Sequence, residues 1–263
     1  MITPANYREI LTSIYRENPC QVLPNANWKS LSWLETFEVN LKLEGSIISQ
    51  LVIRNTDQLM MYWERCRCKP DRNLTTWIDS ANFALLHDDF KAFITPGNYR
   101  QQDPYFRLIH KMENIPKAVL PRMYSFVQAD PVKEAQVIAG LIADCYEDIQ
   151  PSSDEVLNWC EYPVFEDDLW VWIINEGNQS PVGLGIAQFD RSIKEGSLEW
   201  IQVVPSARRQ GLGKQIVYEL LSRLKGKAEF VTVAGKINDR SQPEKLYRSC
   251  GFEGKDIWWV LRK

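Results

Sequence analysis

The stretch that most constrains the fold runs from Ser197 to Leu224. Residues 197–204, Ser-Leu-Glu-Trp-Ile-Gln-Val-Val, are rich in β-branched and aromatic side chains and are stopped by Pro205, the pattern of a buried strand. A short loop follows, Ser206-Ala207-Arg208-Arg209-Gln210-Gly211-Leu212-Gly213. Ile216, Val217, Leu220, Leu221 and Leu224 then recur at helical spacing. Strand, glycine loop and helix in this order aim free backbone N–H groups and the positive end of a helix at an anion. Glycines at 211 and 213 let a phosphate approach the backbone, and Arg208, Arg209 and Lys214 add cations. The same residues also fit a tight strand-to-helix turn with solvated basic side chains. The loop is neither a P-loop nor the dinucleotide fingerprint, because the lysine-serine/threonine ending and the third glycine are missing.

Composition narrows the class. The 263 residues suffice for two modest domains or one large one, and a net charge of −3 gives no bulk attraction to nucleic acid. Six cysteines without a Cys-x-x-Cys pair, and only His87 and His110, predict no metal site. Cys66 and Cys68 read as reduced thiols, which suits a reducing compartment. Met1-Ile2-Thr3-Pro4 opens no apolar leader and no run is long enough to span a bilayer. The expectation is a cytoplasmic protein without membrane or nucleic-acid partners. Its oligomeric state is left open.

Along the chain, residues 5–18 predict an amphipathic helix with Tyr7, Ile10, Leu11, Ile14 and Tyr15 on one face. Strands are expected at 37–43, 47–53 and 105–110. The run 58–66 is open between strand and helix, and 74–93 reads as mostly helical. Both histidines read as structural or exposed rather than catalytic. Two prolines, Pro116 and Pro121, mark the best boundary, so domains are expected at 1–118 and 119–263. In the second part, strands are expected at 124–128, 169–174, 182–189, 197–204, 230–234 and 257–261. Helices are expected at 131–146, 152–159, after the glycine loop through Ile216 to Leu224, and from Ser241 to Cys250, the last with Pro243 in its first turn and an exit at Gly251.

Val203-x-Pro205, Arg208-x-x-Gly211-x-Gly213 and Leu246-Tyr247-x-x-Cys250-Gly251-Phe252 together resemble the GNAT superfamily of N-acetyltransferases, over roughly residues 120–263. The resemblance implies an α/β (α+β) fold, with a mixed, mostly antiparallel central sheet flanked by helices. The N-terminal section would then be an α/β accessory domain, or a degenerate second copy of the same fold. It implies transfer of an acetyl group from acetyl-CoA, as co-substrate, to a primary amine of a small molecule or protein. The alternative is a non-catalytic acyl-CoA-binding or regulatory module on the same fold.

By the same resemblance, the pyrophosphate of coenzyme A rests on the backbone of Arg209, Gln210, Gly211, Leu212, Gly213 and Lys214, with Arg208 at the motif's first position. The pantetheine arm bonds Ile201 and Val203, and Asn238 matches an asparagine that helps orient coenzyme A. Tyr247 matches a tyrosine that protonates the leaving thiolate; a phenol with pKa about 10 can donate to a thiolate whose acid is near 8.5. Tyr247 also fits a buried aromatic on an amphipathic helix. Glu199 is the candidate base, or a carboxylate that binds the acceptor amine, with Glu195 a second choice. Strand alternation would set Glu199, Ile201 and Val203 on one side. The tryptophans 159, 170, 172, 200, 258 and 259 divide between core and acceptor cleft in a way the sequence does not sort.

Overall fold

The structure is a computed structural model that describes residues 4–34, 37–66, 70–146 and 149–263. Cys68, the opening residues 1–3 and the side chain of Tyr7 lie outside the described part. The chain divides into two compact units that interleave in sequence. One comprises residues 1–108, 234–244 and 254–263; the other comprises 109–233 and 245–253.

The first unit holds helices α1 (Pro4–Glu17), α2 (Pro19–Val22) and α3 (Asn27–Leu34), strands β1 (Glu38–Glu44), β2 (Ile47–Arg54) and β3 (Gln58–Glu64), helix α4 (Leu74–Ser80), and strands β4 (Phe83–His87) and β5 (Gln101–His110). Leu11, Ile14 and Tyr15 of α1 are buried, as the helical spacing predicts. β1, β2 and β3 pair antiparallel. β4 runs parallel to β3, in register only over Gln58–Leu59 against Phe83–Ala84.

The helix expected over 74–93 is a correction. Only Leu74–Ser80 is helical; Phe83–His87 is a strand, and Asp88–Phe93 a 3-10 turn. Ala84, Leu85, Leu86 and His87 are all buried, and a continuous apolar run carries no period that separates strand from helix. Each histidine accepts a neighbouring backbone N–H at Nδ1, that of His110 from Met112. The Nδ1 of His87 accepts the N–H of Asp89, and its Nε2 lies 3.1 Å from Asp256.

The second unit carries β6 (Tyr124–Gln128), α5 (Pro131–Cys145), α6 (Ser153–Trp159), β7 (Trp170–Asn175), β8 (Ser180–Asp190), β9 (Glu195–Val203), α7 (Leu212–Leu224), the first four residues of β10 (Phe230–Lys236) and most of α8 (Pro243–Ser249). Its strands lie in the order β10-β9-β8-β7-β6; β6 to β9 are antiparallel neighbours, and β9 and β10 are parallel. A capping box holds the start of α6: the Ser152 hydroxyl accepts the Glu155 N–H while the Glu155 carboxylate accepts the Ser152 N–H. The start expected at Ser241 falls instead at Pro243, because the Ser241 N–H and hydroxyl both bond the Asp239 carboxylate in a local turn.

One face of this sheet is covered by α5 and α6, with Ile138, Ile142 and Val156 against Trp170, Trp172, Leu184 and Ile186. The other is covered by α7, whose Ile216 and Leu220 reach the backbone of β8 at Gly185. The last strand, β11 (Glu253–Arg262), runs antiparallel to β4 and completes the first unit's order β1-β2-β3-β4-β11-β5. Helices, three antiparallel strands, a helix and a parallel strand thus occur in both units: α1–α3, β1–β3, α4 and β4 in one, α5–α6, β7–β9, α7 and β10 in the other.

Candidate active site

The site begins where two parallel strands part. β10 is in register with β9 only over Glu195–Ser197 against Phe230–Thr232, although β9 continues to Val203. Beyond Ser197 the side of β9 away from β8 has no strand in register among the described residues. The Val204 N–H donates to Val182 on β8 at 3.0 Å, so by strand alternation the N–H groups of Val203 and Ile201 point the other way, into the gap. These two residues, expected to bond a pantetheine arm, therefore present backbone donors to an extended ligand.

The loop after β9 presents a second set of donors. Arg209 has φ 66 and Gly211 φ 80, two left-handed residues that turn the backbone into the first turn of α7. α7 has no side-chain cap, and the N–H groups of residues 209–213 find no acceptor among the described residues. Five consecutive orphan donors at the positive end of a 13-residue helix are an anion cradle. A Cβ built on Gly211 would meet nothing within 4 Å, so the space before the cradle is open. Tyr124 donates to the Gln210 side chain at 3.1 Å and holds the loop against β6. Lys214 lies on the first turn, its ammonium over the Tyr218 ring.

Arg208 is engaged differently from a phosphate ligand. Its Nε donates to the Val203 carbonyl at 3.0 Å and its Nη2 to the Cys145 carbonyl at 3.3 Å. The guanidinium thus ties the end of β9 to the C-terminal carbonyls of α5, where a cation is favoured by the helix dipole. Asn238 is exposed on the turn after β10 and belongs to the first unit.

At Glu199 the strand is bulged. Ala187 faces Leu198, and Ile186 faces Trp200, so Glu199 is the extra residue. Counting faces across the bulge puts Glu199 with Ser197, Trp200 and Gln202 on the α5–α6 side, and Ile201 and Val203 on the α7 side. The regular alternation that would group Glu199 with Ile201 and Val203 is therefore corrected. The Ser197 hydroxyl donates to the Glu199 carboxylate at 2.8 Å. Glu195 is 1 % exposed and accepts from Thr232 at 2.5 Å, which closes it off from an incoming amine.

Tyr247 comes from α8, seated by Leu246 against Gly213. Burial pushes its phenol well above the ordinary tyrosine range, and the nearby Tyr146, Cys250 and Glu199 push it further. Tyr146 and Glu199 thus both lie close enough to Tyr247 to act on its charge. No sequence signal selects Tyr146, since the C-terminal end of a helix carries no motif. Its hydroxyl accepts the Gln202 amide at 2.9 Å and its ring meets Trp200 edge-on.

Residues 135–252 match the model of the acetyltransferase (GNAT) family. This segment is a GNAT acetyltransferase domain. Solved structures agree on the fold. The chain is similar to a GCN5-related N-acetyltransferase from Sphaerobacter thermophilus, at 14% identity over 90% of this chain and 85% of that one, with a TM-score of 0.67. It is similar to a GNAT-family acetyltransferase from Colwellia psychrerythraea, at 12% identity over 100% and 98%, TM-score 0.65. A tandem GNAT protein from the clavulanic acid biosynthesis pathway matches at 10% identity over 98% and 93%, TM-score 0.59. No curated protein matches the sequence.

The cradle of the GNAT domain fits the diphosphate of an acyl-CoA, since its orphan donors and open approach at Gly211 ask for an anion and its parted strand offers donors beside it. Among the described residues, no group of three His, Cys, Asp or Glu side chains is placed to hold a metal ion, and no helix is long and apolar enough to cross a membrane.

Proposed function

We propose that the GNAT domain transfers an acetyl group from acetyl-CoA to a primary amine by direct attack. The observation that carries this reading is the convergence of a carboxylate, Glu199, and a buried phenol, Tyr247, beside a gap lined with backbone donors. A binding module would use the cradle but would need neither group.

Bound acetyl-CoA supplies the activated acyl carbon as a thioester. The backbone of residues 209–213 holds its diphosphate, whereas the Lys214 N–H is taken by the Gly211 carbonyl and leaves Lys214 its ammonium; Ile201 and Val203 hold the arm along β9, with the Val203 N–H available to the developing oxyanion. An amine of pKa near 10 arrives mostly protonated, and Glu199 takes its proton directly or through water. As nitrogen bonds to the acyl carbon and the carbon–sulfur bond breaks, the Tyr247 hydroxyl gives its proton to the departing sulfur. The raised pKa of Tyr247 keeps it protonated in the resting site. The proton held by Glu199 is released to solvent and Tyr247 is reprotonated, which restores the site.

We further propose that residues 1–118 are a degenerate copy of the GNAT fold, supported by the repeated element order, by a β3–β4 pair that parts after two residues, and by the likeness to a tandem GNAT protein. The acyl-transfer reading is tested by calorimetric titration with acetyl-CoA, then by free-thiol release with a panel of amines. Gly211→Glu, which puts a negative side chain at φ 80 in the cradle, is expected to abolish binding. Tyr247→Phe is expected to lower turnover about 100-fold with the acetyl-CoA affinity unchanged. Unchanged turnover in Tyr247→Phe removes the acid role, and equal binding by Gly211→Glu removes the cradle.

A further inference from the structure

The bulge at Glu199 has a consequence for the acceptor. Because it brings residues 199 and 200 onto one face, the carboxylate that would receive the amine stands beside the Trp200 indole. Trp159 stacks on Trp200, with ring centroids 5.4 Å apart and planes 21° from parallel, and Tyr146 closes the group edge-on at 6.2 Å. Trp159, Trp200, Tyr146 and Glu199 are all half-buried, so each keeps surface exposed beside the core of α5, α6 and β7. Tyr146 is fixed by Gln202 on the same face, and Glu199 by Ser197. The wall is therefore an aromatic group tied to β9, with the half-buried Glu199 carboxylate at its edge.

The other acids on this face of β8 and β9 do not extend the charge. Asp190 is buried and accepts the N–H and the hydroxyl of Ser192; Glu195 is buried and accepts from Thr232. Among the described residues of this face of the hairpin, a second ammonium, as on a polyamine, would meet only carboxylates already bonded to Ser192 and Thr232.

We infer that the acceptor is a monoamine on a flat apolar or aromatic body, seated on the Trp200–Trp159 wall with its nitrogen at Glu199. This rests on the amine-acetylating reading of the site and names its substrate class. An aromatic ring gains dispersion and offset stacking on indole, and its ammonium gains a charge-assisted bond to the carboxylate.

The test is calorimetric titration of the full chain with tryptamine, putrescine and glucosamine, each with and without saturating coenzyme A. Tryptamine is expected to bind about tenfold or more tighter than the other two. Trp200→Ala is expected to lose that advantage, and Trp200→Phe, which keeps a ring, to retain most of it. Tighter binding of putrescine or glucosamine, absence of tryptamine binding, or an unchanged tryptamine affinity in a folded Trp200→Ala overturns the inference. Tryptamine binding that persists where coenzyme A itself fails to bind counts against acetyl transfer and leaves the amine wall standing.

Discussion

Gly185→Ala tests how the glycine loop is held. A Cβ at Gly185 would lie 2.3 Å from Ile216 Cγ2, 3.0 Å from Val171 Cγ2 and 3.2 Å from Leu220 Cδ1. Ile216 is β-branched and sits in a helix, where one χ1 rotamer dominates, so its methyl cannot swing aside. The contact is relieved only if α7 moves off the sheet. Overpacking of this kind costs about 1–3 kcal/mol, which for a chain of this size lowers the melting temperature by about 2–12 °C. The effect reaches function because Ile216 lies one turn below Leu212, inside the helix whose first N–H groups form the cradle. Acetyl-CoA affinity should fall with stability. Gly140→Ala is the matched control: Gly140 is an exposed residue within α5, with nothing within 4 Å of an added Cβ. That substitution should stabilise by about 0.5–1 kcal/mol. Urea titration followed by tryptophan fluorescence compares the two. A Gly185→Ala midpoint equal to or above that of the wild type refutes the packing argument, whatever Gly140→Ala does.

Arg208→Ala should cost about 1 kcal/mol of stability, from two donors lost to the Val203 and Cys145 carbonyls. Its acetyl-CoA affinity should fall much less than that of Gly211→Glu; equal losses in both would return Arg208 to the phosphate. Burial pushes Tyr99 up to about 12, and its hydroxyl donates to the Ile78 carbonyl at 2.5 Å. The unfolded chain loses this proton near pH 10 while the folded chain keeps it, so stability falls as pH rises from about 10 to 12. Tyr99→Phe should flatten that part of the urea-midpoint profile, and an unaltered slope would contradict the assignment. His110 is held below the ordinary histidine range by burial, against the opposing pull of Glu253 and Glu113. The unfolded chain therefore takes up a proton first as pH falls below about 6.5, and His110 destabilises the fold there. His110→Gln should lose less stability than the wild type between pH 7 and 5; parallel profiles would remove this term.

The strand, the glycine loop and the helix from 197 to 224 were legible because each rests on local chemistry. Pro205 ends the strand, Gly211 takes a left-handed φ, and leucines at helical spacing bury one face of α7. Residues 83–87 were misread for lack of a period, since all but Phe83 are buried. Arg208 was read as a free cation because its two acceptors, 5 and 63 residues away, are visible only once β9 and α5 are placed together. The bulge is the most consequential case. Residues 195–203 form one unbroken strand by composition, and the extra residue is defined only by the register against β8. An alternation rule counted through it assigns every side chain beyond Glu199 to the wrong face. Corrected, the count leaves the backbone N–H groups of Ile201 and Val203 facing the gap beside β9. It moves Glu199 and Trp200 together to the opposite face, so one inserted residue separates the donor side of β9 from the side on which we place the acceptor.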